Sequence, residues 1–89
     1  MADDKFRKLQ RSLAEEIKAA RLAAGLSQEA LALQAEVDRT YVSQLERGIA
    51  NPSLLILHRL ADVLRVSLKI SIDAGPPARK TLNRDARRS

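Results

Sequence analysis

The amino-acid sequence predicts an all-α fold, a compact bundle of four to five helices, with one short β-strand at residues 66–72. Three observations predict it. The chain has 89 residues, which allows one small core and no second one. Ala, Leu and Arg dominate, with one Phe, one Tyr and no Trp, and that balance favours helices over a β-sandwich. Apolar side chains return every three or four positions as far as Leu64, and only then does the period fall to two, the difference between a helix and a strand.

The first helix is expected at residues 4–24. Phe6, Leu9, Leu13, Ile17, Ala20 and Ala24 make its apolar stripe, and Lys5, Lys8, Arg11, Glu15 and Lys18 fill the other faces. Asp3 or Asp4 caps its start and Gly25 ends it. Ser27 caps a second helix at about 28–35, with Leu31, Ala32 and Ala35 inward. Asp38 caps a third at 39–47, stopped by Gly48, with Val42 and Leu45 on one face and Tyr41 beside them. Asn51-Pro52-Ser53 is a turn and a cap. A fourth helix runs from Leu54 to about Leu64, with Leu54, Leu57, Leu60, Ala61 and Leu64 as its buried stripe. Then Val66, Leu68, Ile70 and Ile72 alternate with Ser67, Lys69, Ser71 and Asp73, the pattern of a strand, until Gly75-Pro76-Pro77 ends it. Residues 74–89 have no apolar period and are expected to be a disordered basic tail after a domain of residues 1–73.

Charge and composition remove several classes of function. The net charge is +5. Residues 79–88 hold five basic groups and one acid, which is +4, so the other 11 basic and 10 acidic groups leave the body at +1. A high overall basicity produced by a short tail is weak evidence for a nucleic-acid partner. The tail is either a source of nonspecific phosphate contacts or a solubilising end. There is no Cys, hence no disulfide framework and no thiolate zinc site. The charged start lacks a signal core, and no apolar run approaches a membrane span, so a cytoplasmic protein is expected. His58 is the sole histidine, Glu15 and Glu16 diverge on their helix, and no nucleophile elbow, phosphate-binding glycine loop or zinc-finger spacing occurs. We expect no enzyme, no cofactor and no metal.

The informative arrangement lies at residues 17–68. Two short helices joined by a tight turn inside a bundle make a helix-turn-helix. Arg21, Gly25-Leu26-Ser27-Gln28, Leu45-Glu46-Arg47-Gly48, Asn51-Pro52-Ser53 and Leu60-Ala61-Asp62-Val63-Leu64 occur in this order. In this combination the chain resembles the lambda-repressor/Xre-type helix-turn-helix proteins of bacteria and phages over about 50 residues, with residues 4–16 as an N-terminal extension.

The resemblance implies a fold and a set of roles. The third helix would enter the major groove of double-stranded DNA. Arg39, Thr40 and Gln44 fall at the base-contacting places, with Ser43 a fourth. Their chemistry suits base edges: Arg with guanine, Gln with adenine, the Thr methyl with thymine. Ser27 and Gln28 open the second helix and form either a phosphate clamp or a plain N-cap with an exposed amide. Tyr41 and Arg47 are expected on phosphate or sugar, or Tyr41 half-buried against the second helix. Arg21 and Glu46 match the family's structural ion pair.

Departures from that family pattern are equally specific. Glu36 stands in the turn where the family has Gly, and a side chain at positive φ there carries a strain; Arg65 stands where the family has Gly after the fourth helix. Leu55 and Ile56 occupy usually polar places, and the alternation at 66–72 replaces a fifth helix or leaves a short one. A lone strand needs a partner. A homodimer would pair two copies across a two-fold axis, with Leu55, Ile56, Leu68, Ile70 and Ile72 at the interface. That ending is similar to HipB-like antitoxins. The expected function is a homodimeric transcription regulator, a repressor of a roughly palindromic operator with no sensory domain. The alternatives are an antitoxin that binds a toxin protein and represses its own operon, and an RNA-binding module.

Overall fold

Short polar residues open three of the helices in the computed structural model, which describes residues 2–72. Ser27 Oγ accepts from the Ala30 N–H at 2.9 Å, Asp38 Oδ1 from the Thr40 N–H at 2.9 Å, and Ser53 Oγ from the Ile56 N–H at 3.1 Å. Each satisfies an amide that the helix itself leaves free. The helices are α1 (Ala2–Ala23), α2 (Gln28–Ala35), α3 (Arg39–Glu46) and α4 (Leu54–Leu64). Since α1 already begins at Ala2, Asp3 and Asp4 stand inside its first turn rather than at the cap expected of them.

These four helices end alike. Leu26, Val37, Ile49 and Val66 donate their N–H groups to the carbonyls of Arg21, Ala32, Gln44 and Ala61 respectively, five positions back. This closure needs a left-handed residue just before the donor. Gly25 at φ 73° and Gly48 at φ 77° supply it freely, while Glu36 at φ 60° and Arg65 at φ 59° supply it under strain. The turn between α2 and α3 therefore keeps the geometry of a glycine turn without the glycine.

The core gathers Ile17 from α1, Leu31, Ala32 and Ala35 from α2, Val42 and Leu45 from α3, Ala50 from the loop, and Leu60 and Leu64 from α4. α2 packs on both α3 and α4, and α1 packs on α3. A distant tie joins α1 to the α3–α4 loop, where Gln10 Nε2 donates to the Ala50 carbonyl at 3.0 Å.

Several expectations change here. Phe6 and Leu9 are exposed, although their spacing places them on the apolar stripe of α1. The core begins only at Leu13 and Ala14, because the other described residues do not cover the first turns of a helix this long. Ala24 is exposed too, and Leu54, expected in the buried stripe of α4, is 62 % exposed. Residues 66–72 form neither the expected strand nor a fifth helix. They lie against α1 and α4, with Leu68 half-buried and Ile72 95 % exposed. A strand requires a neighbour for its backbone N–H and C=O groups, and none of the described residues forms one. Asp73 and the basic tail expected at 74–89 lie outside the described residues.

Candidate nucleic-acid interface

The orientation of α3 follows from its own sequence. Val42 and Leu45, three apart, are buried, so the face opposite them turns outward. Arg39, Thr40 and Gln44 are exposed on the first two turns, and Ser43 is half-buried beside them. The structure thus brings the four residues expected to read bases onto one short helix. Tyr41 is half-buried against the core, the packed alternative of the two readings. Arg47 is exposed just past the end of α3.

What holds α3 at this angle is a buried ionic knot. Arg21 Nε and Nη2 meet Glu46 Oε2 and Oε1 at 2.6 and 2.9 Å, a two-pronged pair. Its third arm, Nη1, donates to the Leu26 carbonyl at 2.8 Å. The side chains of Arg21 and Glu46 are 10 % and 3 % exposed. One guanidinium therefore joins the end of α1, the turn into α2 and the end of α3. Sequence reasoning placed the pair and missed its third member: Gln28 Nε2 donates to Glu46 Oε1 at 3.1 Å. Eighteen positions separate Gln28 from Glu46, and no sequence spacing announces such a contact. Gln28 is thus not a freely extended phosphate donor. One of its two amide hydrogens is committed to Glu46, which leaves one N–H and the carbonyl.

The ionisation of the knot follows its contacts. Burial alone would raise the Glu46 carboxyl. The hydrogen bonds from Arg21 and Gln28, with the charges of Arg21 and Lys18, outweigh it and hold the group below its ordinary range. The Glu46 hydrogen bond raises the Arg21 guanidinium further, against the opposing effect of burial. Both groups stay charged at neutral pH.

The expected dimer residues fall on α4 and the segment after it. Leu55 and Ile70 are exposed with Ile72, Leu68 is half-buried, and Ile56 is half-buried against the chain's own core. A groove beside α4 is lined by Leu54, His58, Ala61, Val66, Leu68 and Ile70, among others. Among the described residues no cluster of His, Cys, Asp or Glu is placed to hold a metal ion. No described helix is long and apolar enough to cross a membrane.

Comparison with known proteins agrees with this geometry. Residues 17–70 match the family described as helix-turn-helix. In sequence, 48 residues are 40% identical to the control protein C.BamHI of Bacillus amyloliquefaciens, over 54% of this chain and 59% of that protein. The match thus spans little more than half the length of that curated relative. Among solved structures, the restriction-modification controller protein C.AhdI from Aeromonas hydrophila aligns with a TM-score of 0.64 at 38% identity, over 65% of this chain and 88% of that one. The restriction-modification controller protein C.Esp1396I aligns with a TM-score of 0.64 at 37% identity, over 66% of this chain and 78% of its own. Residues 2–16 precede the stretch that matches the family.

Proposed function

The chain belongs to the helix-turn-helix family across residues 17–70, and from that premise we propose that it is a sequence-specific DNA-binding transcription regulator acting as a homodimer. The observation that carries this reading is the outward face of α3. Arg39, Thr40 and Gln44 stand exposed on a helix whose other side is pinned by Val42, Leu45 and the Arg21–Glu46 knot. A rigid helix with hydrogen-bonding side chains on its first turns suits the major groove. Arg39 takes guanine, Gln44 adenine, Thr40 a thymine methyl, and Ser43 a neighbouring edge. Ser27, Gln28 and Arg47 take phosphate or sugar, and Tyr41, half-buried against the core, is left to packing. The commitment of Gln28 to Glu46 makes it a positioned contact. Binding of phosphate at the start of α2 also uses amides that the Ser27 cap leaves free.

One such domain offers few contacts. A homodimer doubles them and sets two copies of α3 about 34 Å apart on a roughly palindromic site. The exposed Leu55, Ile70 and Ile72, with Leu68, are the apolar side chains that a second copy would cover; Ile56 contributes from its half-buried place. An operator-bound dimer represses by occluding promoter DNA. The relatives named as restriction-modification controllers support a regulator. No observation favours a toxin partner.

Selection from a randomised duplex library, in moderate salt, tests the reading. The native chain should enrich a palindrome. Gln44→Ala should relax one position in each half-site, at about 1–3 kcal/mol of lost discrimination. A folded chain that enriches no duplex sequence overturns it.

A further inference from the structure

We propose that the N-terminal extension of α1 carries a second phosphate-contact surface, made by Arg7 and Arg11 beside Arg47, which follows the DNA backbone flanking the half-site. The inference rests on the DNA reading above and adds residues that precede the family-matched stretch.

Four observations support it. First, Arg7 and Arg11 from α1 and Arg47 from the end of α3 line one groove, together with Gln10, Gly48 and Ile49. All three arginines are exposed. Second, the groove holds no acid: none of its lining residues is Asp or Glu. Arg21–Glu46 is the only ion pair among the side chains the structure describes, from Asp4 to Ile72, so none of those carboxylates lies within ion-pair distance of the three guanidinium groups. Like charges gathered in one groove without a direct counter-ion repel, and an anion relieves them.

Third, the groove is held in place. The Gln10–Ala50 hydrogen bond ties α1 to the α3–α4 loop. Gly48 lies so close to α1 that a Cβ there would stand 3.7 Å from the Arg11 Cα. Arg7 and Arg11 are four apart, so they share one helix face. Fourth, the groove is continuous with the reading helix, because Arg47 is both its wall and the residue after α3. A duplex engaged by α3 would present its sugar–phosphate backbone at that end. Guanidinium groups are well matched to phosphate oxygens, which they can take two at a time. Such contacts strengthen binding without reading sequence.

The test is a salt series on the full chain, binding its selected duplex and a mixed-sequence duplex. Native protein is compared with the double variant Arg7→Gln, Arg11→Gln. Both affinities should fall by the same factor. The slope of log K against log salt should become shallower by about two per protomer, at roughly 0.9 per phosphate lost. The preference for the selected duplex should stay as it was, and so should the melting temperature. The Arg7→Lys, Arg11→Lys variant should recover most of the slope, since the slope counts phosphates neutralised by charge, while the affinity should recover less because the two-pronged geometry is lost. An unchanged slope overturns the inference, including where the surface proves to hold an acidic protein instead. So does a loss confined to the selected duplex. If the native chain shows no preference for any duplex, the parent reading fails first. If it does, and Gln44→Ala relaxes that preference while the double arginine variant keeps the native slope, only the present inference fails.

Discussion

The two sides of this molecule are finished to different degrees. On the side of α2 and α3, every buried polar arm of the Arg21–Glu46–Gln28 knot has a partner, and the exposed positions of α3 are polar, with Leu33 of α2 the one large apolar side chain that these two helices leave in solvent. On the side of α4, residues 66–72 and the first turns of α1, Phe6, Leu9, Leu54, Leu55, Ile70 and Ile72 remain in solvent. One side has spent its interactions internally and presents a fixed shape to a polar partner. The other leaves an apolar surface of the kind that marks an association site. The contrast teaches that rigidity and stickiness are separated here, so each can be altered alone.

The largest expected effect breaks the finished side. Glu46→Ala leaves the Arg21 guanidinium buried without its counter-ion and frees the Gln28 amide. A loss of about 3–5 kcal/mol is expected in thermal or urea melting. An unchanged transition would remove the knot from the scaffold. Acid sharpens the point. The folded Glu46 carboxyl lies below its unfolded value, so its contribution is complete above the unfolded pKa of about 4.3 and is lost as pH falls through the folded one. Native protein should therefore lose stability more steeply below about pH 4.3 than Glu46→Gln does.

The intermediate effect belongs to the unfinished side. Replacing Leu55 and Ile70 together by Lys should raise the dimer dissociation constant at least about tenfold, or 1.4 kcal/mol. Stability of the single chain should hardly change, because both residues are exposed. Sedimentation at several concentrations reads the first quantity and melting the second. An undisturbed dimer would move the interface elsewhere.

The smallest effect concerns the helix ends shared by both sides. Glu36→Gly and Arg65→Gly remove a left-handed strain of about 1–2 kcal/mol, partly offset by the greater freedom of glycine in the unfolded chain. Each should gain up to about 1 kcal/mol in denaturant titration. Equal or lower stability would mean that these side chains make compensating contacts.

Helix boundaries are largely legible in the sequence, because caps and left-handed stops are local. Ser27, Asp38 and Ser53 start α2, α3 and α4 where expected, and Gly25, Glu36, Gly48 and Arg65 stand at the four stops. Of the interface, the exposed positions on α3 are legible too, since burying Val42 and Leu45 decides where Arg39, Thr40 and Gln44 point. The alternation at 66–72 misleads, because a period of two states a preference that only a neighbouring strand can realise.

By itself, then, the sequence determined the helices, their ends and the residue types at the reading face. Those properties depend on contacts within four or five positions. The tertiary structure alone decided that Phe6, Leu9 and Leu54 stay in solvent while Ala14 and Ala50 are buried. It also decided that Gln28 bonds to Glu46 and that Arg7 and Arg11 line one groove with Arg47. Those outcomes depend on which parts of the chain lie side by side after packing, and a periodic pattern carries a helix's faces but not the neighbours that cover them.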